Sequence, residues 1–220
     1  MKVAIFDFDG TLYSKETFQL LMDHLKEHPT YRSKYKSFFR EILPIYIGYK
    51  VKIVPEAKMR ERSMQIYANA LDTLSKTELE DYFDEMKDIM QMHFNEDVVS
   101  KVRQHHNDGM HVMLVSGAYT PLLHAVTDGI EFDTVIGTDI PFTPDGKFDQ
   151  HTAIYHIQGN RKTEKVMETL EGNEIDWEHS FAYGDSYSDL PVLELVGNPV
   201  AVKPEERLKK LAEERNWTVL

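Results

Sequence analysis

The 220-residue chain contains no cysteine, which excludes disulfides, thiolate nucleophiles and cysteine-ligated metal sites. No apolar run approaches the ~18–20 residues of a membrane-spanning helix. Met1-Lys2 leads straight into Val3-Ala4-Ile5-Phe6, a run too short for the apolar region of a secretion signal. A soluble cytoplasmic protein with no membrane partner is the expectation. Positive charge is also scarce. The 25 Lys and Arg stand against 37 Asp and Glu, a net charge of -12, and this argues against nucleic acid as a general partner because phosphate backbones need a basic surface. Repeats, low-complexity tracts and long Pro/Gly linkers are lacking too. What is present is 41% hydrophobic content, enough for one good-sized core or a core with a smaller insert.

The acidic excess is uneven. Residues 14–95 hold 13 Lys/Arg and 13 Asp/Glu, while the rest of the chain holds 12 and 24. The apolar run at 3–8 reads as a strand buried on both faces, and similar runs recur at 111–116, 134–138, 180–184 and 199–202. Helical periodicity lies between them at about 96–108, 120–128, 161–171, 188–196 and 205–215. Strands alternating with helices predict an α/β fold, a Rossmann-like doubly wound parallel sheet. PFTPDGKF at 141–148 predicts a small hairpin turning at Asp145-Gly146. Residues 14–95 break the rhythm with helical patterns only, about 16–27, 31–43, 55–72 and 76–92. They predict an all-helical cap domain inserted into a core made of residues 1–13 and 96–220.

The first strand ends in FDFDGTLY, residues 6–13. Residues two apart on a strand share a side, so Asp7 and Asp9 are expected together, opposite Phe6 and Phe8. They lie at the carboxyl end of the strand, where open α/β sheets bind ligands. The second strand ends in Ser116-Gly117, and YGDSYSD places Asp185 and Asp189 just past the fourth. Carboxylates crowded together raise one another's pKa unless a cation shares them. An all-oxygen set suits Mg²⁺ better than Zn²⁺. In GNRKTEK, a basic residue opening the helix before the fourth strand suits a phosphate oxygen; Arg161, Lys162 and Lys165 are equivalent by spacing.

DFDGT (7–11), VSG (115–117), Lys162 and GDSYSD (184–189), in that order on successive elements, resemble the four motifs of the haloacid dehalogenase superfamily. The helical insert after the first strand and the tail VGNPVAVKPEERLKKLAEERNWTVL are similar to the phosphoserine-phosphatase-like subfamily. The resemblance implies a Mg²⁺-dependent phosphatase of a small phosphomonoester. Asp7 would be the nucleophile, forming an aspartyl-phosphate, and Asp9 the general acid and base. Mg²⁺ would be held by Asp7, the Asp9 carbonyl and Asp185, with Asp189 holding the metal's waters or orienting the loop. Thr11, Ser116, Gly117 and Lys162, preferred over its neighbours by the family pattern, would contact the phosphoryl oxygens. Glu16 matches a glutamate that meets the substrate amine in phosphoserine phosphatases, and Arg60 or Arg62 the arginine that meets the carboxylate. Three features depart from that subfamily: Gly10 stands where serine is usual, Ala118 where a second glycine is common, and the cap is longer.

A phosphoryl-transferring mutase and a non-catalytic binding protein are the rival readings; Asp9 argues against a true dehalogenase. The ten histidines show no paired ligand spacing with acids and are expected at exposed positions. The aromatics of 31–49 are expected to pack inward from a cap helix. Residues 30–62 hold nine Lys/Arg against three Asp/Glu, a basic face that would draw in anionic substrate. Monomer and homodimer are both compatible with the sequence.

Overall fold

The computed structural model describes residues 1–149 and 151–220. Strand β1 (Val3–Phe6) is buried at every position. It lies inside a parallel sheet of order β3-β2-β1-β4-β5-β6, with β2 at His111–Tyr119, β3 at Thr134–Thr138, β4 at Phe181–Gly184, β5 at Asn198–Ala201 and β6 at Thr218–Val219. Side-chain alternation along β1 sends Ala4 and Phe6 into one core and Val3 and Ile5 into another. Helices α6 (Glu96–Asn107) and α7 (Thr120–Val126) contribute Val102 and Leu122 to the first core. Helices α8 (Asn160–Thr169), α9 (Leu190–Leu193) and α10 (Glu206–Glu214) contribute Val166, Leu193 and Leu208 to the second. Both faces are therefore covered, as a doubly wound sheet requires.

Strand order reverses beside β1, whose Phe6 pairs with Tyr183 of β4. The crevice outside the carboxyl ends of strands at such a switch point is where α/β sheets bind ligands. Residue 7 follows β1 and residue 185 follows β4, so chain topology alone delivers both aspartates to one crevice.

Helices α1 (Thr17–Glu27), α2 (Arg32–Lys50), α3 (Glu56–Ala70), α4 (Lys76–Asp84) and α5 (Lys87–Gln91) form the helical block. The chain enters and leaves it through one antiparallel crossing, where Tyr13 pairs with Phe94. The Ser14 N–H donates to the His93 carbonyl at 3.0 Å and the Asn95 N–H to the Leu12 carbonyl at 2.8 Å. A buried chain of hydroxyls fastens the block: Tyr82 to Tyr67 at 2.8 Å, Tyr67 to the Leu21 carbonyl at 2.8 Å, and Tyr119 of β2 to the Met64 carbonyl at 2.5 Å.

Several local expectations need correction. α2 runs past Pro44 rather than ending at 43; Arg40, whose carbonyl loses its helical donor to the proline, is exposed to water. β2 continues to Tyr119, and β6 lacks the long apolar run that flags a strand. His28, His105 and His156 are buried, not exposed. His105 is held by the Tyr183 hydroxyl at 2.7 Å. His24 and His28 do share an acid, with Nε2 atoms 3.5 and 3.1 Å from Glu85 Oε2. Yet His28 Nδ1 accepts the Thr30 and Tyr31 N–H groups, which places the ring proton of the uncharged tautomer on Nε2 and leaves that ring no free acceptor for a metal. Of the 31–49 aromatics Phe38 packs inward, while Phe39 and Tyr46 are 45% and 44% exposed. The 141–148 hairpin is reduced to one antiparallel bridge between Phe142 and Phe148, with Gly146 at φ +77°.

Candidate active site

Asp7 follows the face of Val3 and Ile5 towards α8, whose first turn carries Lys162. Lys162 Nζ donates to Asp7 Oδ1 at 2.5 Å and to Asp189 Oδ1 at 2.6 Å, and all three side chains are buried. Burial works against the lysine's charge, but the Asp189 and Asp7 carboxylates outweigh it and hold the ammonium protonated. Arg161 instead pairs with Glu61 at 2.7 Å and stacks on Tyr155, while Lys165 pairs with Glu168 at 2.6 Å. Of the three cations left open by spacing, Lys162 alone reaches the aspartates.

Asp7, Asp185 and Asp189 bring one oxygen each within 4.8 Å of one another. Burial first, and then Asp189, push Asp7 well above the usual carboxylate range, and the same causes push Asp185 to about 7. With all three carboxylates ionised around one buried ammonium, the cluster carries two excess negative charges, which one divalent cation would neutralise in place of protons. An all-oxygen donor set suits a hard ion such as Mg²⁺. The backbone leaves room for this: a Cβ on Gly10 would stand 2.1 Å from Asp185 Oδ2, and one on Gly184 2.7 Å from Asp189 Cβ. Asp189 is also fixed through its second oxygen, which accepts the Ser186 N–H at 3.2 Å and hydroxyl at 2.9 Å.

Asp9 lines the same cavity and commits one carboxylate oxygen to the helical block. Its Oδ1 accepts both the N–H and the hydroxyl of Thr17, capping the first turn of α1. Burial raises Asp9 to about 6 against the opposing pull of the Thr17 bonds. Ser116-Gly117-Ala118 lies where the β2–β3 pairing shifts register, and irregular pairing of this kind often re-aims side chains beside active sites. Ser116 Oγ is buried and accepts the Ala118 N–H at 3.1 Å.

These groups line a cavity of about 670 Å³ between the strand ends and the helical block. Glu16 and Arg60 line it, 3.7 Å apart. Arg62 is exposed and does not line it, because residues two apart on a helix point in different directions. Thr11 does not line it either: the residue is fully buried and its Oγ1 has no hydrogen-bond partner among the described residues. Thr17, Glu56 and His156 also line the cavity, and sequence reading missed all three. Only Thr17 had a signal, a hydroxyl at the expected start of the first cap helix.

A haloacid dehalogenase-like hydrolase model matches residues 4–194. The chain belongs to that family. Members similar to it include phosphoserine phosphatase SerB1 of Mycobacterium tuberculosis, 30% identical over 53% of this chain and 38% of that one. A histidinol-phosphatase of Neisseria meningitidis is 25% identical over 99% of this chain and 97% of its own. Among solved structures, a Bordetella pertussis protein of unknown function has a TM-score of 0.81 at 22% identity, covering 100% of this chain and 97% of the other. A substrate-bound phosphoserine phosphatase shares the fold with a TM-score of 0.63 at 19% identity, over 100% and 92%. The chain spans less than half the length of several curated relatives, 45% of the Streptomyces azureus protein and 38% of SerB1. No helix among the described residues is long and apolar enough to cross a membrane.

Proposed function

We propose that this haloacid dehalogenase-like chain is a Mg²⁺-dependent phosphatase of a small amino-bearing phosphomonoester. The observation that carries the reading is Lys162 clamped between Asp7 and Asp189, with Asp185 completing a cluster short of one divalent cation. Asp7, Asp185 and the Asp9 carbonyl would hold Mg²⁺, which when bound supplies positive charge to the phosphoryl oxygens. An Asp7 oxygen attacks phosphorus, the bond to the alcohol oxygen breaks, and Asp9 gives that oxygen its proton. Asp9 then takes a proton from water as the water oxygen attacks phosphorus, releasing inorganic phosphate and freeing Asp7. A group titrating near 6 serves both steps around neutral pH. Lys162, the Ser116 hydroxyl and the Gly117 N–H hold the phosphoryl oxygens. The helical block acts as a cap over the cavity, with the crossing at 13–14 and 93–95 as its hinge.

The test is hydrolysis of an aryl phosphate by wild type with Mg²⁺, wild type with EDTA, and Asp7→Asn. The expected result is activity only in the first. Turnover by Asp7→Asn would overturn the assignment of the nucleophile.

A further inference from the structure

The part of the cavity lined by Glu16, Glu56 and Arg60 constrains the alcohol esterified to phosphate. Arg60 is the one cation the helical block contributes to the lining. Its Nε donates to Glu56 Oε1 at 3.0 Å, its Nη2 lies 3.0 Å from the same oxygen, and its Nη1 lies 3.7 Å from Glu16 Oε2. Two carboxylates on one guanidinium give this part a net charge of -1. A substrate carboxylate arriving there would compete with Glu56 for Arg60 and sit beside a like charge, which is unfavourable by itself. An ammonium would be attracted. The helical block also presents an apolar wall of Phe18, Leu21, Met22, Met59 and Met64 to the cavity.

His156 adds a directional constraint. Thr138 Oγ1 spends its one proton on the Gly117 carbonyl at 2.8 Å and accepts the Ile157 N–H at 3.1 Å. It can therefore only accept from His156 Nδ1, 3.2 Å away, so the imidazole proton sits on Nδ1. The ring packs over Gly117, where an added Cβ would lie 2.8 Å from His156 Cε1. Burial lowers the ring to about 4 and keeps it neutral. Nε2 is thus an acceptor on a cavity-lining ring, with no partner among the described residues. A substrate N–H or O–H would satisfy it.

We propose that the cavity selects the phosphate ester of an amino alcohol that has an apolar body and no carboxylate. Its ammonium faces Glu16 and Glu56, an N–H or O–H donates to His156 Nε2, and its carbon skeleton lies on Phe18, Met22 and Met59. This rests on the phosphatase reading and narrows it, since phosphoserine would bring a carboxylate to a part already in excess of negative charge.

The experiment compares kcat/KM, with Mg²⁺ present, for four esters: an aryl phosphate, the phosphate of 2-amino-3-phenylpropan-1-ol, the same ester lacking the amine, and phosphoserine. The amino-alcohol ester should exceed both the amine-free ester and phosphoserine by about tenfold or more. Glu56→Gln should shrink the preference over phosphoserine by about tenfold, because it removes one of the two carboxylates. His156→Phe, which keeps a ring but loses the acceptor, should raise KM for the amino-alcohol ester more than for the aryl phosphate. Turnover of the aryl phosphate with phosphoserine equal to or better than the amino-alcohol ester would overturn this inference and leave the phosphatase reading standing. Turnover of none of the four would overturn both.

Discussion

At the scale of single residues, Gly10 shows how a position far away in the chain can control an aspartate, Asp185. The glycine's φ of +77° belongs to the left-handed region, and the space a Cβ would fill is occupied by Asp185 Oδ2. This chain's departure from the serine usual in phosphoserine phosphatases thus has a local reason. Gly10→Ala should push Asp185 aside and raise the Mg²⁺ concentration for half-maximal activity by about tenfold, while costing on the order of 1 kcal/mol of stability. His156 carries a separate expectation. Its pKa is about 4 when folded, against an unfolded value of about 6.5. Between those values the unfolded chain binds more protons, so the His156 contribution is fully present above pH 6.5 and is lost as pH falls towards 4. The loss is on the order of 3 kcal/mol. Urea unfolding at pH 7.5 and pH 4.5 should therefore show a smaller acid destabilisation in His156→Gln than in wild type; equal losses would mean that other groups carry the effect.

At the scale of elements, the ends of secondary structures do most of the placing. The end of β1 supplies Asp7, the first turn of α8 supplies Lys162, and the turn after β4 supplies Asp185 and Asp189. Helix α1 begins where Asp9 takes the Thr17 N–H, tying the proposed general acid to the first turn of the helical block. The carboxylate also meets the positive end of the α1 dipole. The far end of β2 is tied to α3 through the Tyr119 hydroxyl. Tyr119→Phe leaves the buried Met64 carbonyl without that donor and should cost about 1–3 kcal/mol, read as a lower urea midpoint at unchanged m-value. Element types were largely legible in the sequence because the α/β segments carry strong periodicity. Exceptions arose where tertiary packing decided. α2 passes a proline beside water-exposed backbone, and β6 is two residues long and recognisable only by its pairing with β5.

At the scale of the whole molecule, the sheet order places β1 and β4 side by side and so brings residues 7 and 185 together across most of the chain. The resulting cluster should bind Mg²⁺ in the folded state and not in the unfolded chain, so saturating Mg²⁺ should raise Tm by mass action. Asp185→Asn should abolish that rise. A Tm rise of equal size in the variant would place the ion elsewhere. The acidic excess sits in the α/β segments, while the helical block brings the cavity Arg60 and the apolar wall, alongside Lys162 and Arg207 from the α/β segments.

The sequence by itself determined the strand–helix alternation, the helical insert, and the aspartates and lysine at strand and helix ends. These follow from local periodicity and from motifs whose spacing is short. Only the tertiary structure decided which of Arg161, Lys162 and Lys165 meets Asp7, that Asp9 turns to Thr17, that Arg62 and Thr11 stay out of the cavity, and that His156 enters it. Each of those outcomes depends on the direction of a side chain relative to an element distant in sequence. Burial and hydrogen bonding across the fold set such directions, and no local pattern encodes them.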